Sequence, residues 1–253
     1  MTAPTNYAAS RGVATITLDS AHNRNAFSQA LLRSLMGDLE TALADGSVRV
    51  IVLTNSGGTF SAGADLKEDH RSLGSDPLTF ADVVAAIDGS PKPVVGRIAG
   101  HAAGGGAVLA AACDISIALD TVRIGITEVR LGIAPVPVAA MMAHRMTRRA
   151  LFEAFLAADM MPAARAAELG LVNMAVPADQ LDATVAHYVD ALVKGAPQAV
   201  AATKTALQAM ADGGVGDARA YAAANTVGFG ASEAKEGVAA FLGKRPPAWI
   251  PQD

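Results

Sequence analysis

Two glycine-centred turns constrain this chain more than any other feature. The first covers residues 60–66 (FSAGADL) and the second residues 100–106 (GHAAGGG). Each follows a strand-like run and precedes an apolar, helix-like run. Backbone N–H groups at the start of a helix have no intrahelical acceptor and lie at the positive end of its dipole. Two such groups aimed at one point stabilise an oxyanion, and glycine and alanine let a substrate oxygen come close. An isolated acid follows, Glu128, set among Ile124, Ile126, Val129, Leu131 and Ile133. Burial among such residues raises a carboxyl pKa and suits it to general-base work. Two N–H donors and one buried carboxylate spell enolate chemistry. Each part also has a plainer reading. A run of glycines serves tight helix–sheet packing, and a glutamate near a strand end is usually solvated or a cap.

The surrounding pattern alternates. Residues 12–18, 48–54, 93–99, 114–119 and 171–176 are short, β-branched and bounded by turn residues, which predicts strands. Leu31, Leu35, Leu39 and Leu43 recur every four residues, as do Leu181, Val185, Val189 and Leu192 with one offset, which predicts helices. Strands alternating with helices imply βαβ crossovers and a largely parallel sheet. Beyond residue 176 the pattern is helical to residue 242, broken at 195–197 and 212–214. The expected organisation is an α/β core over residues 1–195 and a helical C-terminal region over residues 196–253.

Composition narrows the function. Aromatic residues are only 4% of a chain that is 51% hydrophobic, so aliphatic residues must fill the core. A net charge of −4 supplies no basic field for nucleic acid. The single cysteine, Cys113, lies in an apolar run and reads as a core residue. Five histidines show neither HxH nor HxxxH spacing, so no metal site is expected. His101 is the one histidine inside a glycine turn and therefore a candidate. No membrane-length apolar run or leader is present, which predicts a cytoplasmic protein. A serine hydrolase is a remote alternative, with Ser61 as nucleophile and His101 before the glycines. The nucleophile elbow needs glycine two residues before the serine, and that place holds Thr59.

At these residues the chain closely resembles the crotonase superfamily, the enoyl-CoA hydratase/isomerase group. The resemblance runs through residues 23–27 (NRNAF), 61–66 (SAGADL), 91–95 (PKPVV), the second glycine turn with Cys113 and Asp114, 128–132 (EVRLG), 163–172 (AARAAELGLV) and 236–246 (EGVAAFLGKRP). It implies a ClpP/crotonase-like α/β fold of repeated ββα units in two sheets, with a helical C-terminal extension. It also implies homotrimers, or hexamers as dimers of trimers, assembled through that extension. By the same resemblance the backbone N–H groups of Ala64 and Gly105 form the oxyanion hole for a CoA thioester. Arg24, Ala62, Leu66 and Lys67 match positions along the CoA path, and Phe241 and Lys244 match C-terminal residues that reach its adenine and phosphates, often from a neighbouring subunit. CoA enters as part of the substrate, so no separate cofactor is implied, and fatty-acid metabolism is the expected setting.

The departures from the family pattern bear on the reaction. Hydratases of the family carry two glutamates, and the first of these places is Val108 here. The second is Glu128. An aspartate used by other members would fall at Val136, and the usual PGxGG is replaced by residues 135–139, PVPVA. Val108 and Val136 are accordingly expected beside the acyl group. Hydration favours two groups, whereas moving a double bond needs one base beneath a stabilised enolate. The expectation is therefore an enoyl-CoA lyase or isomerase, with isomerisation favoured on mechanism and hydration close behind. The non-enzymatic alternative is an acyl-CoA-binding homologue that lost its chemistry with Val108.

Overall fold

A computed structural model describes residues 3–68, 78–213 and 231–251. A six-stranded sheet carries the architecture, in the order β1 (Thr5–Ser10), β2 (Val13–Leu18), β3 (Val50–Asn55), β5 (Val94–Ile98), β7 (Ile115–Leu119) and β10 (Met174–Val176). β1 and β2 form an antiparallel hairpin, and every later pairing in this sheet is parallel. A second sheet joins β4 (Thr59–Ser61), β6 (His101–Ala103), β8 (Arg123–Gly125) and β9 (Met161–Pro162), with only the last pair antiparallel.

The chain visits the two sheets in turn. β3 is followed by β4, β5 by β6 and β7 by β8, so each long strand hands over to a short one. Helices α1 (Gln29–Ala44), α2 (Phe80–Asp88), α3 (Gly105–Ala112), α4 (Val136–Met142), α5 (Arg148–Phe152) and α6 (Ala163–Leu169) come between them. Each handover leads on to a helix, β4 to α2, β6 to α3 and β8 to α4, which is the ββα repeat that the resemblance implied. The second sheet lies outside what the hydrophobic pattern showed. Its strands are two or three residues long, too short for an alternation to be read. The same is true in another way of β1, whose pattern is mostly polar and exposed.

Helices on both faces bury the large sheet, which explains why all six residues of β3 are buried. On one face Leu31, Leu35 and Leu39 of α1 join Val83 and Ile87 of α2 and the whole of α3 in the main core. α1 starts where Ser28 Oγ accepts from the Leu31 N–H, a cap that satisfies one orphan donor. On the other face, α7 (Ala178–Val193) sets Leu181, Val185 and Val189 against Val50, Val52, Val95 and Ile117. α8 (Pro197–Gly213) then returns to the core, where the Lys204 Nζ donates to Asp114 Oδ2 at 2.8 Å and to the Ile87 carbonyl at 3.0 Å. α9 (Ser232–Leu242) is the last described helix. The expected helix break at 195–197 falls between α7 and α8, while residue 214 of the second break lies outside the described residues. No described helix is long and apolar enough to cross a membrane.

Candidate active site

The first glycine turn leaves β4 and doubles back under control of a buried asparagine. Asn25 is fully buried and adopts a positive φ of 53°, next to Arg24 at 60°. Its side chain donates to the Thr59 carbonyl at 2.8 Å and accepts from the Ser20 N–H at 2.7 Å. Its carbonyl accepts from Ser61 Oγ at 2.7 Å, and that hydroxyl in turn accepts from the Gly63 N–H at 3.1 Å. Ser61 is fully buried and used on both sides, so the structure gives it a turn-forming role and leaves no nucleophile there. Phe27 then pairs with the far side of the turn, donating to the Gly63 carbonyl at 2.7 Å and accepting from the Asp65 N–H. The Ala64 N–H lies between these bonds and has no protein acceptor.

The second turn connects β6 to α3. Gly104 has φ +55° and ψ −128°, a conformation that a side chain would strain. Its N–H donates to the Gly125 carbonyl at 2.8 Å, and its carbonyl receives the first bonds of α3. Gly105 is the first residue of the helix, so its N–H has no intrahelical partner. The two turns touch. A Cβ on Gly63 would sit 2.9 Å from the Ala103 carbonyl oxygen and 3.1 Å from the Gly105 nitrogen. One on Gly106 would sit 2.3 Å from the Ser61 carbonyl oxygen. The glycines therefore differ by position: Gly106 permits close packing, and the Gly105 N–H has no acceptor.

Glu128 begins a short 3-10 turn, Glu128–Leu131, closed by Gly132 at φ +73°. Its carboxylate rests against Gly104, where a Cβ would meet Oε1 at 2.9 Å. Oε2 is buried and has no hydrogen-bond partner. Burial raises its pKa above the ordinary glutamate value, while hydrogen bonds from its own N–H and that of Thr127 pull the other way without prevailing. Among the described residues Glu128 is the one carboxylate with a buried oxygen left without a partner.

A cavity of about 320 Å³ brings Ala64, Gly105 and Glu128 together. Its apolar wall includes Leu32, Leu78 and the stacked rings of Phe27 and Phe80, whose centroids lie 4.7 Å apart. Gln29 and Glu68 line the same cavity. Glu68 accepts from the Gln29 N–H through both oxygens at 3.0 Å, closing the start of α1. Nothing local marks these two residues, because they are 39 positions apart and meet only through the first turn. A larger cavity of about 620 Å³ lies between α8 and the core, beside Asp88, Asp114, Arg145 and Lys204. Its Lys204 and Arg145 are already paired with Asp114 and Asp88, and it contains none of the donors just described. The smaller cavity is the one with chemistry.

The other candidates divide. Arg24, Ala62, Leu66 and Lys67 lie exposed around the first turn, where the Ala62 N–H donates to the Arg24 carbonyl at 3.0 Å. Val108 is fully buried in the core and Val136 is 67% exposed on α4, and neither lines the cavity. Phe241 and Lys244 lie at the exposed end of α9, also apart from the cavity. Residues 69–77, His70 among them, lie outside the described residues. His101 points away from chemistry, its Nδ1 accepting from the Arg123 N–H at 2.9 Å across β6 and β8. Burial pushes the Cys113 thiol up to about 12, which keeps it an inert core residue. Among the described residues no cluster of histidine, cysteine and acid could hold a metal ion.

A model of the enoyl-CoA hydratase/isomerase family matches residues 8–252. The chain belongs to that family. A Thermus thermophilus member, provisionally named enoyl-CoA hydratase, is 33% identical over 243 residues, covering 93% of this chain and 96% of its own. The crystal structure of an enoyl-CoA hydratase from Mycobacterium smegmatis is 32% identical and covers 97% of this chain and 98% of its own, with a TM-score of 0.87. A Legionella pneumophila structure, provisionally named enoyl-CoA hydratase/isomerase (crotonase), is 34% identical over 98% of this chain and 99% of its own, also at 0.87. The two sheets and helical C-terminal region are thus a crotonase fold, and membership supports an enzyme of the crotonase class.

Proposed function

We infer that this protein acts on an enoyl-CoA thioester, with the thioester oxygen between the Ala64 and Gly105 N–H groups and Glu128 as the acid/base. The observation that carries the reading is the buried, unpaired Oε2 of Glu128 in the same cavity as two N–H donors without acceptors. In a 3-enoyl-CoA the Cα–H bond breaks toward Glu128, and its electron pair moves into the thioester enolate. The negative charge collects on the oxygen held by the two N–H groups, in a site already organised to receive it. The protonated carboxyl returns the proton at the far end of the conjugated system, and the double bond has moved one place. Atoms and charge balance with one base.

Isomerisation is favoured over hydration because Val108 is buried core where a second glutamate would stand. Glu68 also reaches the cavity, where it caps α1 through the Gln29 N–H. Arg24, Leu66 and Lys67 form an exposed rim beside the first turn that suits the CoA moiety. Residues 196–253 would carry subunit contacts in a homotrimer or hexamer, with Phe241 and Lys244 reaching a neighbouring site. Support for assembly through this region comes from its large apolar side chains left exposed, among them Leu207, Val238, Phe241 and Leu242.

The test is a mass-spectrometric and chromatographic screen of 2-enoyl- and 3-enoyl-CoA substrates in deuterated water. Isomerisation moves the double bond without adding the mass of water, whereas hydration adds it. Hydration of 2-enoyl-CoA faster than isomerisation of 3-enoyl-CoA would overturn the preferred reaction. Tight acyl-CoA binding with no turnover would leave the non-catalytic binder.

A further inference from the structure

The cavity beside Glu128 contains a second orphan. Gln29 is the first residue of α1, and its Nε2 donates to the Leu78 carbonyl at 2.7 Å. That bond sets the orientation of the amide, since the reverse flip would place two carbonyl oxygens face to face. Its Oε1 must therefore be an acceptor. This oxygen is buried and receives no hydrogen bond. Buried acceptors are rarely left so, because each forfeits the bonds that water would have supplied.

The other described polar side chains around the cavity do not fill the need. Glu68 is an acceptor already turned to the Gln29 N–H. The Thr79 hydroxyl donates to Asp82 Oδ2 at 2.6 Å and accepts from the Asp82 N–H at 3.2 Å, completing the cap of α2. Glu128 Oε2 is a further acceptor without a donor. Apart from the two backbone N–H groups at the turns, the polar wall among the described residues offers acceptors and lacks donors. An all-alkyl acyl chain would leave Gln29 Oε1 without a partner, and a terminal carboxylate would meet Glu68 and Glu128 with like charge.

We propose that Gln29 is a specificity residue selecting acyl groups that carry a neutral hydrogen-bond donor, a hydroxyl, which donates to its Oε1. The inference rests on the acyl-CoA reading above and narrows its substrate class. A site that binds a substrate hydroxyl discriminates against the analogue lacking it more strongly than an apolar slot discriminates against an extra methylene.

The experiment measures kcat/KM for the wild-type enzyme on enoyl-CoA thioesters of matched length. The acyl groups are plain alkyl, hydroxylated at successive carbons beyond the reacting double bond, or terminated by a carboxylate. One hydroxyl position should raise kcat/KM over the alkyl parent by about tenfold to a hundredfold. The terminal carboxylate should be the poorest of the set. Gln29→Met keeps the length of the side chain and removes the acceptor, so the hydroxyl-to-alkyl ratio should fall toward one. Alkyl chains turned over as well as every hydroxylated analogue by the wild type would overturn the assignment while leaving the acyl-CoA reading intact. So would a folded Gln29→Met variant that keeps the full preference. No binding or turnover of any acyl-CoA would instead remove the reading on which the assignment rests, and the assignment with it. The wild-type panel decides the matter even if Gln29→Met does not fold.

Discussion

Gly104→Ala is the substitution that most directly probes how the carboxylate is held. The added Cβ would stand 2.9 Å from Glu128 Oε1 and 3.3 Å from its Cδ, closer than real Cβ atoms settle. The carboxylate must withdraw by about half an ångström to reach ordinary contact. Alanine must also adopt φ +55°, ψ −128°, which costs about 1–3 kcal/mol in backbone strain. For a chain of this size each kcal/mol lowers Tm by about 2–4 °C, so a fall of about 2–12 °C is expected. Misplacing a catalytic group by about 1 Å can cost about a hundredfold in rate, and half that displacement should cost about tenfold. The paired control is Gly57→Ala. It carries a similar penalty at φ +70°, but its Cβ meets only the Ala21 Cβ, at 3.3 Å. Scanning calorimetry and kcat at saturating enoyl-CoA should show both variants destabilised and only Gly104→Ala slowed. A folded Gly104→Ala with unchanged kcat would refute the argument that the glycine exists to seat this carboxylate.

Glu128→Gln keeps the shape and removes the base, so turnover should fall by about 10²–10⁴-fold while calorimetric affinity for a saturated acyl-CoA barely changes. The same variant tests linkage: burial raises the pKa of Glu128 in the folded state, so the wild type sheds stability as pH rises from about 4.3 through the raised value. Glutamine does not titrate, and thermal scans should show the variant gaining on wild type above that window and losing the gain below it. The kcat–pH profile of the wild type should show an acidic limb above the usual glutamate range, since only the ionised carboxylate accepts a proton. Lys204→Met should cost about 2–4 kcal/mol by leaving Asp114 short of its ion pair, and Asp114→Asn in the same chain should recover part of that loss in denaturant titration.

Much of the large sheet and its helices could be read directly, because their signals are local. The four-residue spacing of Leu31, Leu35 and Leu39 became the buried stripe of α1, and five β-branched runs became β2, β3, β5, β7 and β10. Glu128 and the second glycine turn were legible for a different reason: an acid among aliphatic residues and a run of three glycines are unusual choices with few physical explanations. Residues 4–6 places apart in the chain could state that a turn exists. They could not state what the turn faces.

That remainder belonged to the tertiary structure. Gly63 and Gly105 are 42 residues apart, and only the parallel pairing of β4 with β6 brings their turns into contact. The contact with Asn25 makes Ser61 a buried turn former rather than a nucleophile, and the β6–β8 pairing turns His101 into a backbone partner of Arg123. The second sheet was invisible because strands of two or three residues are specified by their neighbours rather than by their own pattern. Gln29 and Glu68 are ordinary polar residues in the sequence, one opening a helix and the other near a turn. Their importance arises from burial, which is a property of the folded chain. The sequence determined which groups could do chemistry, since identity and local spacing are written there. The fold decided which of them share a cavity and which are left without a partner, since long-range packing alone sets distance and desolvation.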